Sequence, residues 1–140
     1  MINKPNITVT KRKAHRHVIR FFTVLFASVP LIIFLYTQQA LFSMVGGLPF
    51  LLFLPVTVYY ETWQLRLTQN TMERSVFWKN KSYSYPQLQQ VLKKFATSKS
   101  AVVICLKFQD GTTWQFRIDD ENGEKAERQL QKHCSFITLP

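Results

Sequence analysis

Two rhythms divide the chain. Residues 21–60 contain no Asp, Glu, Lys, Arg or His, whereas from Glu61 onward apolar and polar positions alternate at period two. A hydrocarbon layer ~30 Å thick is crossed by about 20 apolar residues in helical form. The uncharged block is twice that long and is broken by Thr37, Gln38 and Gln39, its most polar point. It predicts two membrane spans, residues 18–36 and 40–60, joined by a tight turn that leaves no backbone polar group unpaired in lipid. Pro30, Pro49 and Pro55 predict kinks in these helices. Gly46 and Gly47 are candidate helix-packing residues, since small residues let helices approach closely.

In the following segment, Trp63, Leu65 and Leu67 alternate with polar residues and predict a half-buried strand. Gln69 and Asn70 form a turn. Residues 71–78 predict a second strand with Met72, Val76 and Trp78 on one face. Lys79, Asn80 and Lys81 then form a turn before a short third strand over residues 82–85. Residues 87–96 read as a bent strand through Val91, Leu92 and Phe95. Residues 101–108 and 112–118 predict a hairpin in which Asp110 and Gly111 supply the positive φ angles of a type I′ turn. A final helix is expected from about Asn122, with Ala126, Leu130, Cys134 and Ile137 at helical spacing. The acids before it and in its first turn (Asp119, Asp120, Glu121, Glu124) suit its dipole. Residues 7–10 predict one more strand, able to add an edge to the same sheet. Trp63, Trp78, Phe95, Phe108, Trp114 and Phe116 are the expected core aromatics.

The fold class expected is therefore a membrane protein of α+β type. A two-helix transmembrane hairpin carries a small antiparallel meander of five to six strands, closed by a C-terminal helix. Its parts are a basic N-terminus (residues 1–17), the hairpin (18–60) and an extramembrane domain (61–140). Two adjacent spans followed by a strand meander and a closing helix resemble the small bacterial membrane proteins with a pleckstrin-homology-like domain, including the YcxB-like group. The local likeness lies in Tyr85-Pro86-Gln87-Leu88-Gln89-Gln90-Val91, similar to that family's turn after its third strand, with Gln87 where the family often has an acid. Phe108, Asp110, Gly111 and the strand to Ile118 resemble the hairpin before its helix. The resemblance implies a PH-like fold and a bacterial inner (plasma) membrane.

The 140 residues carry 18 basic and 8 acidic side chains. Residues 1–20 carry Lys4, Lys11, Arg12, Lys13, Arg16 and Arg20 without a single acid, so the positive-inside rule puts both termini in the cytoplasm. A cleaved signal peptide is not expected, because a second apolar segment follows at once and no small-residue cleavage site is apparent. Tyr59, Tyr60 and Trp63 fall where an interfacial aromatic belt belongs. Each basic residue near an anionic membrane surface is worth ~1 kcal/mol. The candidate anionic-lipid contacts are thus Lys11, Arg12, Lys13, Arg16 and Arg20, with Lys79, Lys81, Lys93, Lys94 and Lys99 as a second basic rim.

Little in the chain suggests catalysis. His15 and His17 have no nearby Cys, Asp or Glu to complete a metal site. His133 and Cys134 are adjacent on the predicted helix and point about 100° apart, a poor nucleophile–base pair. Cys134 reads as a core residue, and Cys105 lies in mid-strand. No cofactor, metal or nucleic acid is expected. The leading expectation is a non-enzymatic, membrane-anchored adaptor whose PH-like domain meets a protein or peptide partner, or a second copy of itself. The alternatives are an accessory subunit packed through its hairpin against a larger membrane complex, and a sensor of anionic lipid.

Overall fold

The computed structural model of the chain describes residues 6–95 and 101–139. The chain forms two compact units, one helical (Lys13–Thr62) and one built from the residues up to Arg12 together with those from Trp63 onward. Lys4 and Lys99 lie outside the described residues.

In the helical unit, α1 (Lys13–Thr37) and α2 (Ala40–Thr62) are joined at Gln38 and Gln39, Gln38 taking a left-handed φ of 51°. Both helices are long and apolar enough to cross a membrane, and neither contains a buried residue. They run without interruption through Pro30, Pro49 and Pro55. Their shared face is closely packed. Phe22, Phe26 and Phe53 cluster, the Thr23 and Thr57 hydroxyls lie 2.7 Å apart, and Ser43 Oγ donates to the Pro30 carbonyl at 2.8 Å. Gly46 and Gly47 belong to this face. A Cβ on Gly46 would lie 2.6 Å from Ile33 Cδ1, and one on Gly47 3.8 Å from Pro30.

The second unit holds two sheets. The first has the order β1 (Ile7–Thr10), β2 (Gln64–Leu67), β3 (Thr71–Val76), β4 (Lys79–Ser84), all antiparallel. A 3-10 turn (Tyr85–Gln87) leads into the second, of order β7 (Thr113–Arg117), β6 (Val102–Phe108), β5 (Leu88–Phe95), β8 (Phe136–Leu139). Helix α3 (Gly123–Gln131) lies between β7 and β8 in the chain. Period-two alternation does what burial requires: Leu65, Leu67, Met72, Trp114 and Phe116 point inward with Val9, Ile104, Leu106 and Phe108, all essentially inaccessible. Ala126 and Leu130 of α3 complete the core.

Several details depart from the sequence pattern. There are eight described strands, not five or six, and one pair is parallel: the tail after α3 forms β8 and pairs with β5, Val91 opposite Phe136. The helix therefore stops at Gln131, leaving Cys134 half-buried and Ile137 exposed on a strand. The β3–β4 turn lies at Phe77 and Trp78, and β4 begins at Lys79. The register opposing Met72 to Tyr83 buries both, and a slip would turn that face outward. Trp78 is consequently 78% exposed instead of in the core. Phe95 is exposed too, because β5 outruns the core. Trp63, in contrast, is buried rather than part of an interfacial belt. At Asp110 and Gly111 only the glycine has a positive φ (82°), so the turn is a type I turn with a glycine bulge, not type I′. The type I′ pattern occurs at Phe77 (φ 49°) and Trp78 (φ 61°). In the 3-10 turn, Gln87 Oε1 accepts from the Ser84 N–H at 2.8 Å, a role an acid also fills.

The two glycine environments predict opposite outcomes. A Cβ on Gly123 would meet the carbonyl oxygens of Arg117 and Ile118 at 2.5 Å, and backbone cannot easily yield. Gly123→Ala is expected to destabilise by about 1–3 kcal/mol. Gly46→Ala meets only the end of a flexible side chain and is expected to leave the melting temperature nearly unchanged. Thermal unfolding of the full chain in detergent checks both.

Candidate functional site

β1 and β2 pair along their whole length, Ile7 opposite Leu67 and Thr10 opposite Gln64. The 53 residues between Thr10 and Gln64 therefore leave and rejoin one sheet at adjacent positions. The outer edge of β1 is held by the segment before α3. Thr10 and Glu121 exchange backbone hydrogen bonds of 3.3 and 3.0 Å, the Thr10 hydroxyl donates to Glu121 Oε2 at 3.1 Å, and Asn122 Nδ2 donates to the Thr8 carbonyl at 2.9 Å. Asn122 reaches it from a left-handed backbone (φ 63°), which asparagine tolerates.

Charge reinforces this clasp. Lys11 Nζ lies 3.5 Å from the buried Asp120 carboxylate and 4.1 Å from the centre of the Trp63 ring. Asp120 also accepts the Arg117 backbone N–H at 3.0 Å. Asp119 takes both nitrogens of the Arg117 fork at 2.8 and 3.0 Å and lies 3.6 Å from Arg12. The acids that the sequence pattern assigns to the dipole of α3 thus bind the N-terminal strand instead, and only Glu124 lies in the first turn of the helix.

Most candidate lipid contacts have partners inside the chain. In the helical unit, Glu61 receives Arg20 in a two-bonded fork at 2.5 and 2.7 Å and lies 3.5 Å from Arg16. Lys81 contacts Asp110 at 3.7 Å, and Lys93 meets Glu127 of α3 at 2.7 Å. Lys13 begins α1, Lys79 is exposed at the start of β4, and Lys94 is exposed in β5 opposite Val103. The basic residues therefore do not converge on one site. They are distributed along the clasp, the end of the helical pair and the rims of the sheets.

A second polar cluster ties β4 to the β6–β7 turn. The Tyr83 hydroxyl donates to Asp110 and lies 3.0 Å from Thr112 Oγ1, while its ring stacks on Phe108 at 4.1 Å. The Tyr83 hydroxyl, followed by the Thr112 N–H, brings the Asp110 carboxyl down to about 2. Beside it, the 3-10 turn and the end of α3 form a cleft lined by Gln69, Asn70, Ser84, Tyr85, Pro86 and His133. Here the His133 ring stacks flat on Tyr85 at 3.8 Å, and the Tyr85 hydroxyl donates to the Thr68 carbonyl at 2.8 Å. Burial pushes both the Tyr85 phenol and the Cys134 thiol up. Cys134 Sγ lies 3.5 Å from the Leu130 carbonyl, so His133 and Cys134 are each engaged elsewhere. Cys105 and Cys134 are both free thiols. Among the described residues, no three His, Cys, Asp or Glu side chains gather as metal ligands.

Two predictions follow from these clusters. Asp120→Ala removes the partner of Lys11 and the acceptor of the Arg117 N–H, and is expected to cost about 1–3 kcal/mol, read by thermal unfolding. The lowered pKa of Asp110 makes its contribution complete above its ordinary value of 3.8 and lost as the pH falls toward about 2. Acid unfolding of Asp110→Asn should therefore show a weaker pH dependence across that window than the parent chain.

No family model matches the chain, and no curated protein is similar to it.

Proposed function

We propose that the chain is a non-enzymatic protein anchored in a bacterial inner membrane by its helical hairpin. In this reading both termini are cytoplasmic, and the chain presents a PH-like domain to a protein or peptide partner at that surface. The observation that carries the reading is the β1–β2 pair. A polypeptide that leaves a sheet at Thr10 and rejoins it at Gln64 has both ends of its apolar insert on the same side of any membrane the insert crosses. Two antiparallel spans meet that condition and one span does not. The excess of Lys and Arg beside the insert supports a cytoplasmic position for that side.

A four-stranded antiparallel sheet, a second sheet begun by three antiparallel strands, and a following helix support the PH-like reading. The free edge of β4 supports the binding role. It is the last strand of its sheet, and four of its six residues are exposed. At the other end of the same sheet, residues 121 and 122 bond to β1, while β7 and β8 end the second sheet. An extended partner segment adding to β4 is the physical mode proposed. The accessory-subunit alternative has less support, because Gly46 and Gly47 are used between α1 and α2.

Reporter fusions test the orientation: a phosphatase placed after Pro140 should be inactive and a cytoplasmic reporter there active, and the reverse pattern overturns it. A photo-crosslinking residue at Ser82 tests the binding mode. It should capture one stoichiometric partner from native membranes, while the same residue at Lys132 does not; equal capture at both, or none, overturns it.

A further inference from the structure

The β3–β4 turn spends its two left-handed positions on Phe77 and Trp78. A type I′ turn favours Asn-Gly or Gly-Gly, because a side chain with a positive φ crowds the following carbonyl. Two bulky aromatics are among the least suited residues, and strained backbone of this kind points to a use for the side chains it displays. Trp78 is 78% exposed and Phe77 41% exposed, whereas Trp63 and Trp114, the other two tryptophans, are buried.

The location of the turn follows from the register. Thr10 is opposite Gln64, Gln64 opposite Ser75, and Ser75 opposite Asn80. The turn therefore projects from the end of the first sheet at which the chain departs for α1 and returns from α2. Counted along the strands, Val76 is level with Trp63, and the turn extends about one residue, ~3.4 Å, beyond. Around the turn, Arg74, Lys79 and Lys81 line a hollow with Val76, Phe77 and Asn80. Asp110 is the acid beside this group, 3.7 Å from Lys81.

We propose that the Phe77–Trp78 turn is an interfacial anchor, seated at headgroup level in the same membrane that the hairpin crosses, with Lys79 facing anionic phospholipid. The proposal rests on the membrane reading above. Indole at the headgroup level and flanking cations are the combination such a surface selects. The anchor gives the domain a third attachment besides the two chain connections, and so fixes which faces of its sheets are turned to the cytoplasm.

The test uses the full chain reconstituted in mixed phosphatidylglycerol and phosphatidylcholine vesicles, with lipids brominated high on the acyl chain as quenchers. Trp63 and Trp114 supply a sheltered background, so Trp78 should dominate the quenched emission. Trp78→Phe should reduce the quenching by about threefold or more, consistent with a tryptophan at the headgroup level. Quenching unchanged by Trp78→Phe overturns the proposal. So does Trp78 emission open to aqueous iodide, which would leave the turn free for a protein. A second variant, Phe77→Asn with Trp78→Gly, has the residues this turn prefers. It should melt no lower than the parent while losing the lipid quenching, whereas a lowered melting temperature would show that the aromatics hold the fold rather than meet lipid. Flotation separates the two levels of the argument: a chain that does not float with the vesicles overturns the membrane reading itself.

Discussion

The structure depends on a four-residue strand pair. β1 would be an isolated segment at one end of the chain were it not zipped to β2, and the pairing joins residues more than fifty positions apart. Closing so long a loop is costly in entropy, though the cost grows only slowly with loop length. Here the intervening residues are themselves a helical hairpin, so they do not form one long flexible loop. The pair buries Val9, Leu65 and Leu67 completely, so the hydrophobic core and the closure of the insert depend on the same contacts.

The charges around this closure serve structure before they serve anything outside. Lys11, Arg12, Arg16 and Arg20 read in the sequence as a plain basic flank. Yet each has an acid close by: Asp120, Asp119 and Glu61. Exposed pairs such as Arg12 with Asp119 contribute little. The Lys11–Asp120 pair differs because the carboxylate is buried and hydrogen-bonded to the backbone, so losing either partner leaves a desolvated group behind.

Much of the architecture was legible from periodicity. The two apolar helices, the strand at residues 7–10 as a sheet edge, the alternation through Trp63, Leu65 and Leu67, and the β6–β7 hairpin all follow from local pattern. What was not legible depends on contacts distant in sequence. Asp119, Asp120 and Glu121 suit a helix start equally well, and only the folded chain brings β1 beside them. The tail at Phe136 to Leu139 continues a helical spacing from Ala126, and its pairing with β5 overrides that spacing. The turn at Phe77 and Trp78 was hidden for the opposite reason. Its residues are those of a strand, and the register that buries Tyr83 forces them into a turn they disfavour. The candidate lipid contacts were legible as charge, but the partners of Lys81 and Lys93 were not, and the exposed tryptophan went unnoticed because aromatics ordinarily fill cores.

β1 pairs with β2 across the helical insert. Cysteines introduced at Thr8 and Arg66, which lie opposite each other, test it most directly in a chain whose Cys105 and Cys134 are replaced by serine. Cross-strand neighbours at about 5 Å are within disulfide reach. The account predicts rapid oxidation of this pair in isolated membranes and little for the mismatched pair Thr8 with Thr68. Equal reactivity of the two pairs, or none in either, would contradict it.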